Sequence, residues 1–429
     1  ISKATGDRED FSLTRTATAA TARRAATRAA TATPDAATPD AATPDATPDA
    51  GAVDAPVSPD AIVADAASDA GTTDAGGATF PRLFEIVVPG PVSDLEIDAA
   101  QRVTMTTGSA YFTSSAGVYR FLASGASDPT FVSGPVPAMQ TGVAPAALAV
   151  LPGGAVAAAV AVGDGAAVPF TDALVWLGPD GAVTYPGDYV TAVAFREVDA
   201  ASPGVVGATA TELRRYGADR APLVSFGTGG VVTAASLGGS IDAVAVTLAG
   251  TRVVILRGAT LVRLDAATGA LDPSFGAGGQ VALTLSGAGR LAVAPDGSIA
   301  VVHEVATPSP HLEIVPVSAA GAVGPAIITA LAAGPFAVAR DAGRVVLATT
   351  TAAAPTTTEV TVVPVTAGPS ARATVARAMS CHPLAPACSV TATLVRIDGA
   401  GRVYVAGTIA GAFTAHGVGP SQFLDVFGP

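Results

Sequence analysis

From about residue 80 onward, short apolar runs of Val, Leu, Ile and Ala recur in pairs, each pair joined by a tight turn of Asp, Gly, Ala or Pro. LAVAPDGSIAVV from Leu291 is the plainest pair, with its turn at Asp296 and Gly297. Matching units are LEIDAAQRVTM near Asp98, LAVLPGGAVAAAV near Leu151, VAFREVDAASPGVVGAT near Asp199, VAVTLAGTRVVIL near Thr247, FAVARDAGRVVLAT near Arg340 and TLVRIDGAGRVYVAG near Ile397. The seven turns begin at 98, 151, 199, 247, 294, 340 and 397, so the period lies in the high forties with two longer intervals. A period of that size fits four short strands with their loops, the unit of a β-propeller blade. The second runs (253–256, 299–302, 345–347, 403–405) are continuously apolar rather than alternating. Such strands are buried on both faces, as they must be between stacked blades.

A second hairpin follows the first within each unit, as in ALVWLGPDGAVTY from Ala173, TLVRLDAATGALDPSF from Thr260 and HLEIVPVSAAGAVG from His311. Two hairpins make four strands. The expected fold is therefore all-β: a seven-bladed β-propeller of four-stranded antiparallel blades over residues 80–429. Its ends carry a further expectation. After the last first hairpin the chain has residues for a third strand at 423–427 but none for a fourth, while FPRLFEIVV at 80–88 is a strand without a blade. Pairing the two would close the ring and remove an open sheet edge.

Composition sharpens this picture. The chain is 49% hydrophobic, much of it alanine, with 5% aromatics, so thin sheets fit the core better than thick helices. The net charge of −12 says little about partners, because Asp35, Asp40, Asp45, Asp49, Asp54, Asp60, Asp65, Asp69 and Asp74 all lie in one segment without Lys or Arg. That segment, residues 33–79, repeats Pro, Asp, Ala and Thr and is expected to be a disordered tether, since nothing in it is large enough to bury. Residues 1–32 form an ill-defined stretch with no recognisable signal peptide, consistent with a misplaced start, so an export signal would lie outside the chain. The uncharged stretch 146–163 is broken by Pro152, Gly153 and Gly154, which argues for a hairpin and against a transmembrane helix. Arg214, Arg215 and Arg220 read as a solvated hairpin edge, and no basic, aromatic surface suited to nucleic acid is present.

LDPSFGAGGQVALTLSGAGRLAVAPDGSIAVV from Leu271 resembles the delta-sixty repeat of secreted bacterial propellers, with its L-D-x-S-F-G-x-G-G-x-V run and following A-V-x-P-D-G hairpin. LVSFGTGGVV from Leu223 and SDPTF from Ser127 are partial copies, and GRVYVAGTIAGAF from Gly401 is similar to related repeats of large secreted bacterial propellers. The resemblance implies an exported scaffold or binding protein and supplies no catalytic residues. LDAATGAL from Leu264 is similar to the turn of quinoprotein dehydrogenase blades, but the tryptophan expected after it is missing and no other unit repeats it.

Candidate chemistry is sparse. No nucleophile elbow, phosphate-binding glycine loop or calcium loop occurs. His303 and Glu304 open like a zinc-protease helix, yet Thr307 stands where the second histidine belongs. All four histidines are expected in the connections after second or fourth strands, which share one propeller face. The expected recognition face accordingly comprises Asp164, Asp172, His303, His311, Glu359, His382 and His416, on the loops 162–172, 306–311, 349–359 and the cysteine loop. Cys381 and Cys388 in CHPLAPAC suit a small disulfide-closed loop, with two free thiols or half of a metal site as the alternatives. Trp176 is expected in the core of a third strand. The leading expectation is an exported or cell-surface-tethered, monomeric binding module or scaffold for a protein or glycan at the cell envelope, without cofactor. A hydrolase or quinone-dependent dehydrogenase with its site at the channel mouth is the alternative.

Overall fold

Where apolar runs meet across Asp/Gly turns the chain folds into antiparallel hairpins. The computed structural model describes residues 82–428 apart from intervening stretches, the longest being 109–116, 136–146, 163–170, 351–357 and 365–388. A lone strand, β1 (Arg82–Ile86), comes first. Blade 1 holds β2 (Val92–Ile97), β3 (Val103–Thr107), β4 (Gly117–Phe121) and β5 (Gly134–Pro135). Blade 2 holds β6 (Ala147–Val150), β7 (Val156–Val162), β8 (Thr171–Leu177) and β9 (Tyr189–Thr191). Blade 3 holds β10 (Glu197–Ala200), β11 (Val205–Ala208), β12 (Glu212–Tyr216) and β13 (Val231–Thr233), and the single turn of helix α1 (Ala234–Leu237) follows it. Blade 4 holds β14 (Ala243–Val246), β15 (Arg252–Arg257), β16 (Thr260–Asp265) and β17 (Gln280–Ala282). Blade 5 holds β18 (Gly289–Val293), β19 (Ile299–Val305), β20 (His311–Val317) and β21 (Ile327–Ile328). A three-stranded sheet of β22 (Phe336–Arg340), β23 (Arg344–Thr350) and β24 (Thr358–Pro364) precedes the closing blade of β25 (Ser389–Ile397), β26 (Val403–Thr414) and β27 (Gly417–Phe427).

The fold is an all-β propeller. In place of the seven four-stranded blades expected, the described residues form six, and the remaining sheet, β22–β24, has three strands. Each first-hairpin turn anticipated from the sequence joins two paired strands, β2 to β3, β6 to β7, β10 to β11, β14 to β15, β18 to β19, β22 to β23 and β25 to β26. The uncharged stretch at 146–163 is one of these hairpins, β6 to β7, and among the described residues no helix is long and apolar enough to cross a membrane.

First strands stand side by side in chain order: β2 beside β6, then β10, β14, β18, β22 and β25, which returns to β2. The buried hydrophobic clusters lie in the seams between neighbours. Leu213, Phe226 and Val232 of blade 3 meet Val253, Ile255 and Val262 of blade 4, and Leu256 and Leu261 of blade 4 meet Val301 and Val315 of blade 5. Strands such as β15 and β19 are buried on both faces because each contributes to two seams, which is why their sequences are continuously apolar.

The termini close the ring as the sequence implied. The closing blade has the order β25, β26, β27, β1, with Phe84 opposite Val426 and Ile86 opposite Leu424. Ile86 and Val88 are buried with Leu95, Met105, Leu424 and Val426 in the seam toward blade 1. Phe84 reaches further, its ring lying 2.8 Å from where a Cβ would stand on Gly125, so only glycine fits that turn beside it.

The delta-sixty-like motif has a structural task in these seams. In blade 4 the Asp272 carboxylate accepts hydrogen bonds from Ser274 N at 3.0 Å, Ser274 Oγ at 2.7 Å, Arg252 Nε at 2.7 Å and Arg263 Nε at 2.9 Å. Arg263 lies over the buried Phe275 ring at 4.5 Å and donates to the Ala319 carbonyl of blade 5, while Gly276 N donates to Ala320 O. Blade 1 repeats the device: Arg120, fully buried, lies over Phe131 at 4.2 Å and donates to Thr104 Oγ1 and to the Pro179 and Gly154 carbonyls of blade 2. In blade 3, Arg215 donates to Ala201 O, Pro203 O and, across the seam, Ala266 O. The expectation of a solvated edge at Arg214, Arg215 and Arg220 is thus corrected at Arg215, which is 1% exposed. A guanidinium has enough donors to satisfy several carbonyls at blade turns that no ladder strand reaches.

Candidate functional site

Five charged residues on three of the first strands gather around the propeller axis. β2 carries Asp94 and Glu96, β10 carries Glu197 and Asp199, and β25 carries Arg396. The turn hydrogen bonds Asp98 N to Arg102 O, Ala201 N to Gly204 O and Asp398 N to Arg402 O align the three strands, so Glu96, Asp199 and Arg396 occupy one level. At that level β6, β14, β18 and β22 all present alanine: Ala149, Ala245, Ala292 and Ala339. Small side chains there leave room for the charged ones.

A first strand has one edge turned to the axis, where its N–H groups have no ladder partner. The carboxylates fill this need on the following blade. Asp94 Oδ2 accepts from Leu148 N of β6 at 2.8 Å, Glu197 Oε2 from Val244 N of β14 at 2.6 Å, and Asp199 Oδ2 from Val246 N of β14 at 2.8 Å. Arg396 closes the set from the other side, with Nη2 at 3.1 Å from Asp94 Oδ1 and Nε at 3.5 Å from Glu96 Oε1.

Four carboxylates around one guanidinium raise proton affinity. Burial pushes Glu96 up to about 8, opposed by Arg396 and reinforced by Asp94 and Asp199. Burial likewise lifts Glu197 to about 7 against the Val244 N–H, and Asp199 to about 6 against the Val246 N–H and Arg396. Asp94 is raised too, burial outweighing Arg396 and the N–H groups of Leu148 and Leu95. For Arg396, burial works against its charge, but the four carboxylates outweigh it and hold the guanidinium protonated. Among the described residues no group of three or more His, Cys, Asp or Glu is arranged to hold a metal ion.

No model of a known protein family matches the chain, and no curated protein is similar to it. The site is therefore read from its own geometry, and the delta-sixty resemblance rests on the motif residues alone.

His303 and His311 do not join the axial cluster. His303, expected on a loop face, instead lies within β19 and is 1% exposed, which corrects its place among recognition residues. Its Nδ1 is 3.4 Å from both Ser286 N and Glu304 O, and its Nε2 is 3.9 Å from Glu313 Oε2 on the opposite strand. His311 begins β20, paired with Val305, and its Nδ1 lies 2.7 Å from Ser309 O. Both histidines thus belong to one hairpin of blade 5. Asp172 pairs with Ala161 at the start of β8 and Glu359 with Thr349 in β24, but their side chains, with Asp164, His382, His416, Cys381 and Cys388, lie outside the described residues. Trp176 is 4% exposed in β8, the third strand of blade 2, as the sequence indicated.

A pH dependence follows with a definite sign. Because Glu96, Glu197 and Asp199 bind protons more tightly folded than unfolded, the stability linked to them is fully present below about pH 4 and is lost as pH rises through 6 to 8. Asp272 behaves oppositely: burial disfavours its charge, but Ser274, Arg252 and Arg263 outweigh burial and hold it well below the ordinary range. Its contribution is present above about pH 4 and lost as pH falls toward its folded value. Thermal melts should therefore peak near pH 5 and fall by about 2–5 °C toward pH 8.5, with lumen water moderating the size. Glu96→Gln should flatten the alkaline limb, and an alkaline limb equally steep in the variant would contradict this assignment.

Proposed function

We propose that the chain is a non-enzymatic binding scaffold, exported and displayed on the acidic Pro/Asp/Ala segment, with a protein or glycan of the cell envelope as its ligand. The sheet β22–β24 is, in this reading, the remaining blade of a seven-membered ring, and Cys381 and Cys388 form a disulfide in an oxidising compartment. The observation that carries the proposal is the fate of the axial carboxylates: Asp94, Glu197 and Asp199 accept backbone N–H groups of the next blade, and Glu96 pairs with Arg396. Groups anchored in this way hold a frame together, and recognition on such frames belongs to the loops at their ends. The motif resemblance to secreted bacterial propellers supports the same view.

One observation favours a second reading. Glu96, 3.5 Å from Arg396 Nε and lifted to about 8 by burial with Asp94 and Asp199 adding to the rise, has the proton affinity of a general acid, as a hydrolase at the channel mouth would need. A glycan array and a panel of chromogenic esters and glycosides, run on the full chain, separate the two. Saturable glycan binding without turnover is expected; turnover abolished by Glu96→Gln would replace the scaffold reading with the hydrolase. For the compartment, alkylation before reduction followed by peptide mass spectrometry should find Cys381 and Cys388 linked, and alkylation of both thiols would contradict export.

A further inference from the structure

Two buried ring nitrogens on blade 5 have no hydrogen-bond partner among the described residues, Nε2 of His303 and Nε2 of His311. The ladder puts both rings on one face: His303 is opposite Glu313 and Val305 is opposite His311. That face turns toward blade 4, where Ile299, Val301 and Val315 of the same two strands are buried. His303 is the deeper of the two, at 1% exposure, and Glu313 Oε2 stands 3.9 Å from its Nε2, beyond hydrogen-bond reach. Its Nδ1 lies 3.4 Å from both Glu304 O and Ser286 N. The ring therefore faces two acceptors and one donor. A neutral imidazole has one N–H and one lone pair and cannot give a hydrogen to both acceptors, whereas an imidazolium can. Since a buried polar atom without a partner costs stability, these surroundings match the protonated ring better than the neutral one.

We propose that His303 is a proton-operated latch on the β19–β20 hairpin. On taking up a proton the ring donates from Nε2 to Glu313, closing the 3.9 Å gap with a charge-assisted bond, and from Nδ1 to Glu304 O. On losing the proton the latch opens, and Nδ1 again accepts from Ser286 N. Imidazoles change charge between pH 5 and 8, so the latch is closed toward the acid end of that range and open toward the alkaline end. The other titratable groups nearby are His311, Glu304, Arg290 and Arg263. His311 has its Nδ1 2.7 Å from Ser309 O. The Glu304 side chain lies on the far face of β19, opposite Leu312, and Arg290 of β18, opposite Val302, turns to Phe336 on that same far side. From blade 4, Leu256 and Leu261 line the seam, and Arg263 is committed to Asp272 and Ala319 O. The connection at 283–288 carries no charge, and β21 places Ile328 opposite Glu313. Glu313 is thus the anion that the ring meets.

The test follows the imidazole rings of the full chain by long-range proton–nitrogen correlation NMR from pH 5 to 8.5, with His303 assigned by elimination through His311→Gln, His382→Gln and His416→Gln. The His303 ring should titrate within that range. Glu313→Gln keeps the shape of a side chain that is 23% exposed and removes its charge, so the His303 midpoint should fall by about one pH unit, a tenfold loss of proton affinity. Amide hydrogen exchange, corrected for intrinsic base catalysis, supplies the structural readout. From pH 5.5 to 8.5, exchange in β19 and β20 should quicken about tenfold more than exchange in β15, and Glu313→Gln should remove the difference. A His303 ring that stays in one charge state throughout, a midpoint unmoved in Glu313→Gln, or exchange in β19 and β20 that tracks β15 at every pH overturns the proposal.

Discussion

Removing residues 80–88 should lower the unfolding temperature of the chain by about 5–10 °C and leave it prone to aggregate. The segment contributes β1, whose Ile86, together with Val88, is buried in the seam between the closing blade and blade 1, and whose Phe84 covers Gly125. Burying side chains of this kind is worth about 1.5–3 kcal/mol each, and the deletion also strips the ladder from β27. β27 would then become an open edge eleven residues long, a template for pairing with another chain. Calorimetry with light scattering measures both effects. An unchanged transition would show that the ring does not depend on its terminal strand.

Arg263→Ala should cost about 3–5 kcal/mol, because it removes one partner of a buried ion pair and leaves Asp272 with an incomplete set of donors. It also frees the Ala319 carbonyl of blade 5 and uncovers Phe275. Arg214→Ala makes the contrasting control: its pair with Glu212 is 33% exposed on the arginine side, and its loss should cost no more than about 1 kcal/mol. Urea unfolding of both variants decides the matter. Equal and small losses would mean that the motif arginines decorate the blades and do not join them.

That contrast also shows how far the sequence could be read. Apolar periodicity exposed the hairpins, and the unpaired strand at 80–88 exposed the closure, because both follow from burying sheet faces and edges. The arginines were harder. TLVRLD at 260–265 and TLVRID at 393–398 differ by one methyl branch point, yet the first is the third strand β16 and holds Arg263 in a seam, while the second lies in the first strand β25 and turns Arg396 to the axis. A local motif does not state which strand of the blade it will become. Arg214 and Arg215 share that ambiguity, and only the register against β11 sends Arg215 inward, opposite Val206.

The axial carboxylates went unnoticed for a related reason. Asp94, Glu96, Glu197 and Asp199 are scattered over a hundred residues and form no motif; they meet only because the ring brings β2 and β10 to a common axis. Their signal was nevertheless present in the repeat itself. Aligned on the turns, the first strands show alanine at the level of Glu96 in four of the units, and the charged exceptions are Glu96, Asp199 and Arg396. His303 is expected in a connection because the apolar run of its strand ends at Val302, whereas it continues the buried strand β19 one residue further.

The axial cluster depends on a ring closed by β1 on β27 in the observed register. Glu85 and Asp425 are directly opposed in that pairing, so the double variant Glu85→Cys, Asp425→Cys gives the most direct test. After mild oxidation of the full chain, non-reducing peptide mapping should recover residues 85 and 425 linked in one molecule. Recovery of both thiols unlinked, or linkage only to Cys381 or Cys388 or between molecules, would contradict the closure.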